Sequence, residues 1–143
     1  MFNHEDREKV RELFARFCHS IDEGRYEEWV GTFTPDGVFD SPVAGRHAGR
    51  EGLQKFTRDL AASDMGKVKQ RHLVTNLSMS LESDRGTALC NLTVWVTREG
   101  VTSLMLVGGY NVQLRKLAGE WYFLNVTPFV DTKVPENPLA RSR

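Results

Sequence analysis

The sequence predicts an α+β fold, with three helices followed by long antiparallel strands that curl around them. Three observations predict it. Up to about position 63, apolar residues recur at helical spacing. From 68 to 130, β-branched and aromatic residues fill four long runs. Tight turn signals join those runs, and connections so short require antiparallel neighbours.

In the first helix, expected over 5–22, Val10, Leu13, Phe14, Phe17, Cys18 and Ile21 form one apolar stripe. Gly24 is a natural stop just beyond it. Tyr26, Trp29, Val30 and Phe33 repeat the spacing in a short second helix. "TPDG" at 34–37 reads as a turn with proline in second place. "VFDSPVAGRHAG" reads as two short extended pieces around Pro42. Leu53, Phe56 and Leu60 mark a third helix over 50–63, which "SDMG" ends. The strand runs are "VKQRHLVTNLSMSLES", "TALCNLTVWVTR", "VTSLMLVGGYNVQLRK" and "EWYFLNVTPFV", separated by "SDRG", "REG" and "LAG". Gly108 and Gly109, inside the third run, mark a sharp bend or a close backbone approach. A bent sheet half-wrapped around a helix leaves an enclosed pocket.

The chain's 143 residues fit one domain, expected over 1–131, with 132–143 as an extended or disordered tail. Lys+Arg and Asp+Glu both number 19, so the net charge is zero. With no basic excess or stripe, a nucleic-acid partner is not expected. Zero charge offers little protection against self-association, so a homodimer is expected, as is also suggested by Leu, Val and Trp on the outer sheet face. No apolar run is long enough for a membrane span, and the charged N-terminus has no signal-like core. Cys18 and Cys90 make no disulfide framework and read as reduced core residues of a cytoplasmic protein.

His72 and Asn76 share parity in the first strand run, so a regular strand points both to one face. Such a face either meets water or lines a cavity. Neutral imidazole, with an ordinary pKa of about 6.5, can act as a base near neutral pH. Asp22 lies at the edge of the helical stripe and in the last turn, where a carboxylate opposes the helix dipole and needs a partner. Tyr110 could donate its phenol to a ligand carbonyl, and Asn125 is a candidate of the same kind. Phe17, Trp29, Phe39, Phe56 and Trp95 would form apolar walls, and Asp40, near a turn, is a further candidate for the pocket. The four histidines show no metal-ligand spacing, and no phosphate loop or nucleophile elbow occurs, so neither metal nor cofactor is expected.

"IDEGRYEEWVGTFTPDGVFD", "GREGLQKF", "RHLVTN", "GGYNVQL" and "GEWYF", in that order, resemble the SnoaL-like branch of the nuclear-transport-factor-2-like superfamily. The resemblance runs from about residue 8 to 130. It implies a cone in which three helices close over a strongly curved sheet around a deep cavity. Members include polyketide cyclases and small dehydratases, so it implies lyase or isomerase chemistry on a hydrophobic small molecule. It also implies that an acid at the end of the first helix, here Asp22, pairs with a sheet histidine, here His72. Some relatives place a tyrosine where this chain has Phe17 and an arginine where it has Asn125. "DEGRYEEW" and "RHLVTN" resemble the β subunits of aromatic-ring-hydroxylating dioxygenases as well, which implies a non-catalytic scaffold or a binding module as the alternative. Ketosteroid isomerase is a further relative, whose base aligns with Asp40 but whose tyrosine donor falls at Phe17.

Overall fold

The computed structural model describes residues 4–132. The expected tail therefore lies outside the described residues except for Thr132. Three helices, α1 (His4–Asp22), α2 (Tyr26–Gly31) and α3 (Gly49–Ala62), pack on one curled sheet. Its strands are β1 (Phe33–Ser41), β2 (Gly45–Ala48), β3 (Lys69–Glu82), β4 (Arg85–Arg98), β5 (Val101–Leu117) and β6 (Glu120–Val130). They lie in the order β2-β1-β6-β5-β4-β3. The expected α+β architecture is present, and the sheet curls without closing.

Two details depart from the sequence reading. The sheet is mixed, because β1 runs parallel to β6 while every other pair is antiparallel. A short-range turn signal cannot reveal such a pair, whose partners lie far apart in sequence. The second is the "TPDG" turn, which is absorbed into β1. Between Phe33–Phe123 and Val38–Asn125 the pairing advances five steps on β1 against two on β6. The excess residues bulge, and Gly37 lets the chain fold tightly against Phe33, whose Cβ would lie 2.8 Å from any Cβ added there. Phe33 itself opens β1 instead of closing α2.

The helical stripe of α1 is buried as its spacing requires, from Val10 to Ile21. α1 crosses the concave face diagonally and is fastened at both ends. Near its start, Asp6 accepts a hydrogen bond from Trp121 Nε1 at 2.9 Å and pairs with Lys116 at 3.0 Å. Lys9 donates to the Gly119 carbonyl at 2.9 Å. At its end, Asp22 and Glu23 meet β3. Aromatic rings fill the space beneath: Phe17 contacts Trp29, Phe33, Tyr110 and Phe123, while Trp29 also meets Phe39 and Phe56. The glycine pair marks a close approach. A Cβ on Gly108 would lie 1.9 Å from the Phe129 carbonyl oxygen, and one on Gly109 2.3 Å from that of Cys90.

Candidate functional site

Asp22 is the last residue of α1, four positions after Cys18 and therefore on the same inward face. Its side chain is 3% exposed. His72 sits on β3, the edge strand, with its ring turned inward and 16% exposed. Being on an edge, the His72 backbone N–H can find a partner outside the sheet. Asp22 supplies it: Oδ2 accepts from the His72 backbone N–H at 2.9 Å. Oδ1 meets the ring Nδ1 of the same residue at 2.5 Å.

This two-point clamp has a chemical consequence. An ionised carboxylate only accepts, so Nδ1 must carry the ring proton in the neutral imidazole. Nε2 is then left bare as an acceptor and potential base. The backbone contact fixes the carboxylate relative to the strand, and the ring contact fixes the imidazole relative to the carboxylate. Charge-assisted bonds of this kind are the strong ones, and they offset the unfavourable helix dipole at the α1 C-terminus. Beside the clamp, Arg71 donates to Glu23 at 2.9 Å in an exposed ion pair, which adds little on its own.

Tyr110 reaches the same interior from β5. It is buried, and its ring stands edge-on to Phe17 with centroids 5.6 Å apart. Burial pushes the phenol well above its ordinary value of 10, helped by Cys18, Cys90 and the Asp22 carboxylate. The phenol is therefore a donor at any working pH. Burial also pushes the Cys18 thiol up to about 12, with Asp22 adding to the effect, and the Cys90 thiol up to about 11. Both thiols stay protonated and are poor nucleophiles. Cys18 and Tyr110 both belong to the buried core.

The remaining sequence candidates separate into two groups. Phe17, Trp29, Phe39 and Phe56 are buried core, and only Phe17 touches Tyr110 among the contacts described. Among the described residues Trp29 Nε1 is buried without a hydrogen-bond partner, ringed by phenylalanines. Asn76, Trp95, Asp40 and Asn125 do not face the interior, contrary to expectation. Asn76 sits in a bulge of β3 with φ of 55°, where pairing with β4 slips between Thr75 and Ser78. The bulge inverts parity, so Asn76 is exposed and accepts from Asn91 at 3.4 Å, while Leu77 takes the inward place. Asn125 follows a second bulge, at Leu124, and accepts from Thr127 Oγ1 at 3.3 Å on the outer face. Trp95 points outward because Val94 and Val96 are the buried members of β4. Asp40 alternates with buried Phe39 and pairs with Arg46 at 3.3 Å near the surface.

Cys18 was legible as core but not as a neighbour of the clamp. Val74, two residues beyond His72 and packed against the core, continues its inward face. No group of residues able to hold a metal ion occurs among the described residues. Among them, too, no helix is long and apolar enough to cross a membrane.

Solved structures share this architecture. A Nostoc punctiforme protein with a cystatin-like fold, of unknown function, is 27% identical, with a TM-score of 0.80 over 94% of this chain and 97% of that one. ActVI-ORFA from Streptomyces coelicolor is 20% identical, with a TM-score of 0.76 over 87% of this chain and 96% of that one. A Novosphingobium aromaticivorans protein assigned as the β subunit of an aromatic-ring-hydroxylating dioxygenase is 19% identical, with a TM-score of 0.77 over 95% of each. The last two likenesses show the fold alone. No curated protein sequence matches the chain. A family model does: the SnoaL-like domain matches residues 3–127, nearly the whole length, and the chain belongs to that family.

Proposed function

We propose that the chain is a cofactor-independent lyase or isomerase, of dehydratase or cyclase type, acting on a hydrophobic small molecule. The observation that carries this reading is the clamp of Asp22 on the backbone and ring of His72. Nε2 takes a proton from a carbon beside a carbonyl, and the C–H electron pair moves into an enolate. Asp22 holds the tautomer and stabilises the imidazolium that forms. The Tyr110 phenol donates to the enolate oxygen, and one placed donor in a dry site is worth about 3 kcal/mol. The imidazolium then returns its proton. Given to a departing hydroxyl, it completes a dehydration; given to another carbon, it completes a double-bond shift.

Asp40 and Asn125 have no part in this scheme, because both face away from the interior. The working form is a cytoplasmic homodimer. The test is deuterium exchange at the α-carbon of neutral cyclic ketones in D₂O, followed by proton NMR. Wild type should accelerate exchange, and His72→Ala should lose on the order of 10²–10⁴-fold. Tyr110→Phe should lose a smaller factor. Equal exchange by wild type and His72→Ala would remove the catalytic reading. It would leave the alternative, a scaffold or binding module.

A further inference from the structure

We propose that the amide of Gln70 holds the leaving hydroxyl of the substrate, which makes that substrate a β-hydroxy ketone and the reaction a dehydration. The inference rests on the catalytic reading above and names the substrate class for the same site. It starts from strand geometry. Gln70, His72 and Val74 alternate on β3, and their β4 partners are Val96, Val94 and Leu92, all at most 5% exposed. Directly paired residues point to one face of a sheet, so the Gln70 side chain enters the interior beside the clamp. Gln70 and His72 are half-buried where their β4 partners are sealed. The inner face of this edge strand is therefore the open side of the interior, where a ligand reaches both side chains.

The amide is held in one orientation. Its Nε2 donates to the Met65 carbonyl at 3.3 Å. An amide turned over would set two oxygens against each other, so the contact fixes which end is which. The carbonyl itself sits on a rigid turn. Ser63, fully buried, donates to the Leu60 carbonyl at 2.8 Å and accepts from the Met65 N–H at 3.2 Å, opening a single 3₁₀ turn over Asp64–Lys67. Gly66 packs so closely against the end of α3 that a Cβ there would lie 2.5 Å from the Ala61 carbonyl oxygen. The bond to Met65 takes one of the amide's two N–H donors; the other N–H and Oε1 complete its complement. The buried hydroxyls of Ser20, Thr32, Thr57 and Ser63, by contrast, each donate to a carbonyl three residues earlier.

A donor and an acceptor side by side match a hydroxyl, which both donates and accepts; an enolate oxygen only accepts. Position agrees. Residues two apart on a strand are separated by about 6.8 Å, so one oxygen about 3 Å from each group bridges His72 Nε2 and the amide. Order agrees as well. Tyr110 is paired with Cys90, four residues before Val94 on β4, whereas Gln70 is paired with Val96, two residues after it. Phenol and amide thus lie on opposite sides of His72 along the strands. A β-hydroxy ketone presents the same order: carbonyl oxygen, α-carbon, hydroxyl. His72 takes the α-proton, the C–H pair forms the enolate, and the enolate collapses to the Cα=Cβ bond as the Cβ–O bond breaks. The departing oxygen takes the proton back from Nε2 and leaves as water. A double-bond shift has no hydroxyl for the amide to hold.

The experiment uses the full chain and two probes, with circular dichroism to verify folding. Cyclohexanone in D₂O reports α-proton removal by NMR, and β-hydroxycyclohexanone reports dehydration by the absorbance of the enone. Wild type should act on both. Gln70→Leu, and Gln70→Met as a second variant of similar length, should keep deuterium exchange within about twofold and lower enone formation about tenfold or more. Enone formation at the wild-type rate in both variants, or exchange falling in step with it, would overturn the role of Gln70 and leave the catalytic reading standing. A wild type that exchanges cyclohexanone but releases no water from the hydroxy ketone would do the same. Exchange no faster than in His72→Ala would overturn that reading and this inference together.

Discussion

A carboxylate at the end of a helix sits against the negative pole of the dipole, and α1 ends on one. Asp22 is tolerated because both of its oxygens are used by a single residue on another element. The resemblance to SnoaL-like proteins implied that Asp22 pairs with His72; spacing alone marked only that Asp22 ends an apolar stripe and that His72 lies inside a strand. The sequence reading misplaced Asn76 and Asn125 because each follows or occupies a bulge, and one extra residue turns a side chain to the other face. Trp95 was a different error. Ala88, Cys90, Leu92, Val94 and Val96 already recorded the alternation that puts position 95 outside. The buried thiols carry a prediction at this scale. With Cys18 raised to about 12 and Cys90 to about 11, neither should react with a thiol reagent at pH 8 until the protein is unfolded by denaturant. Two thiols titrating in the native state would show that this interior is open.

At the scale of elements, α1 is a bar fixed at both ends. Its amphipathic spacing was plain, as were the four strands and their turns; its fastenings were not, because Asp6 and Trp121 lie at opposite ends of the sequence. Trp121 is buried, so Asp6→Ala would strand its indole N–H, at a cost of about 1–3 kcal/mol. Hydrogen exchange should then quicken in the first two turns of α1 while its C-terminal turn stays protected. The same fastening is pH-sensitive. Bonds from Trp121 and Lys116 hold the Asp6 carboxyl below its ordinary value of 3.8. A depressed acid contributes stability that is present above the unfolded value and lost as pH falls through the folded one. Wild type should therefore lose stability more steeply than Asp6→Ala below about pH 4, as measured by urea melts. Parallel curves would show that Asp6 contributes no such linkage.

At the scale of the whole molecule, the fold brings two distant residues together. Asp22 and His72 are fifty positions apart, and their meeting requires α1 to cross the concave face from β6 to the β3 edge. Helices-then-strands organisation was enough to anticipate a curled sheet over helices. It could not give the β1–β6 parallel pair, whose partners lie far apart in sequence. The placement of His72 at an edge follows from that order, since β3 is the last strand on its side. The account stands on the protonation pattern this arrangement imposes on one ring. Long-range ¹H–¹⁵N correlation spectra of the His72 imidazole report it directly. The clamp predicts a neutral ring protonated at Nδ1 with Nε2 bare in the wild type, and loss of that preference in Asp22→Asn. A ring protonated at Nε2, or one unchanged by removing the carboxylate, would contradict it.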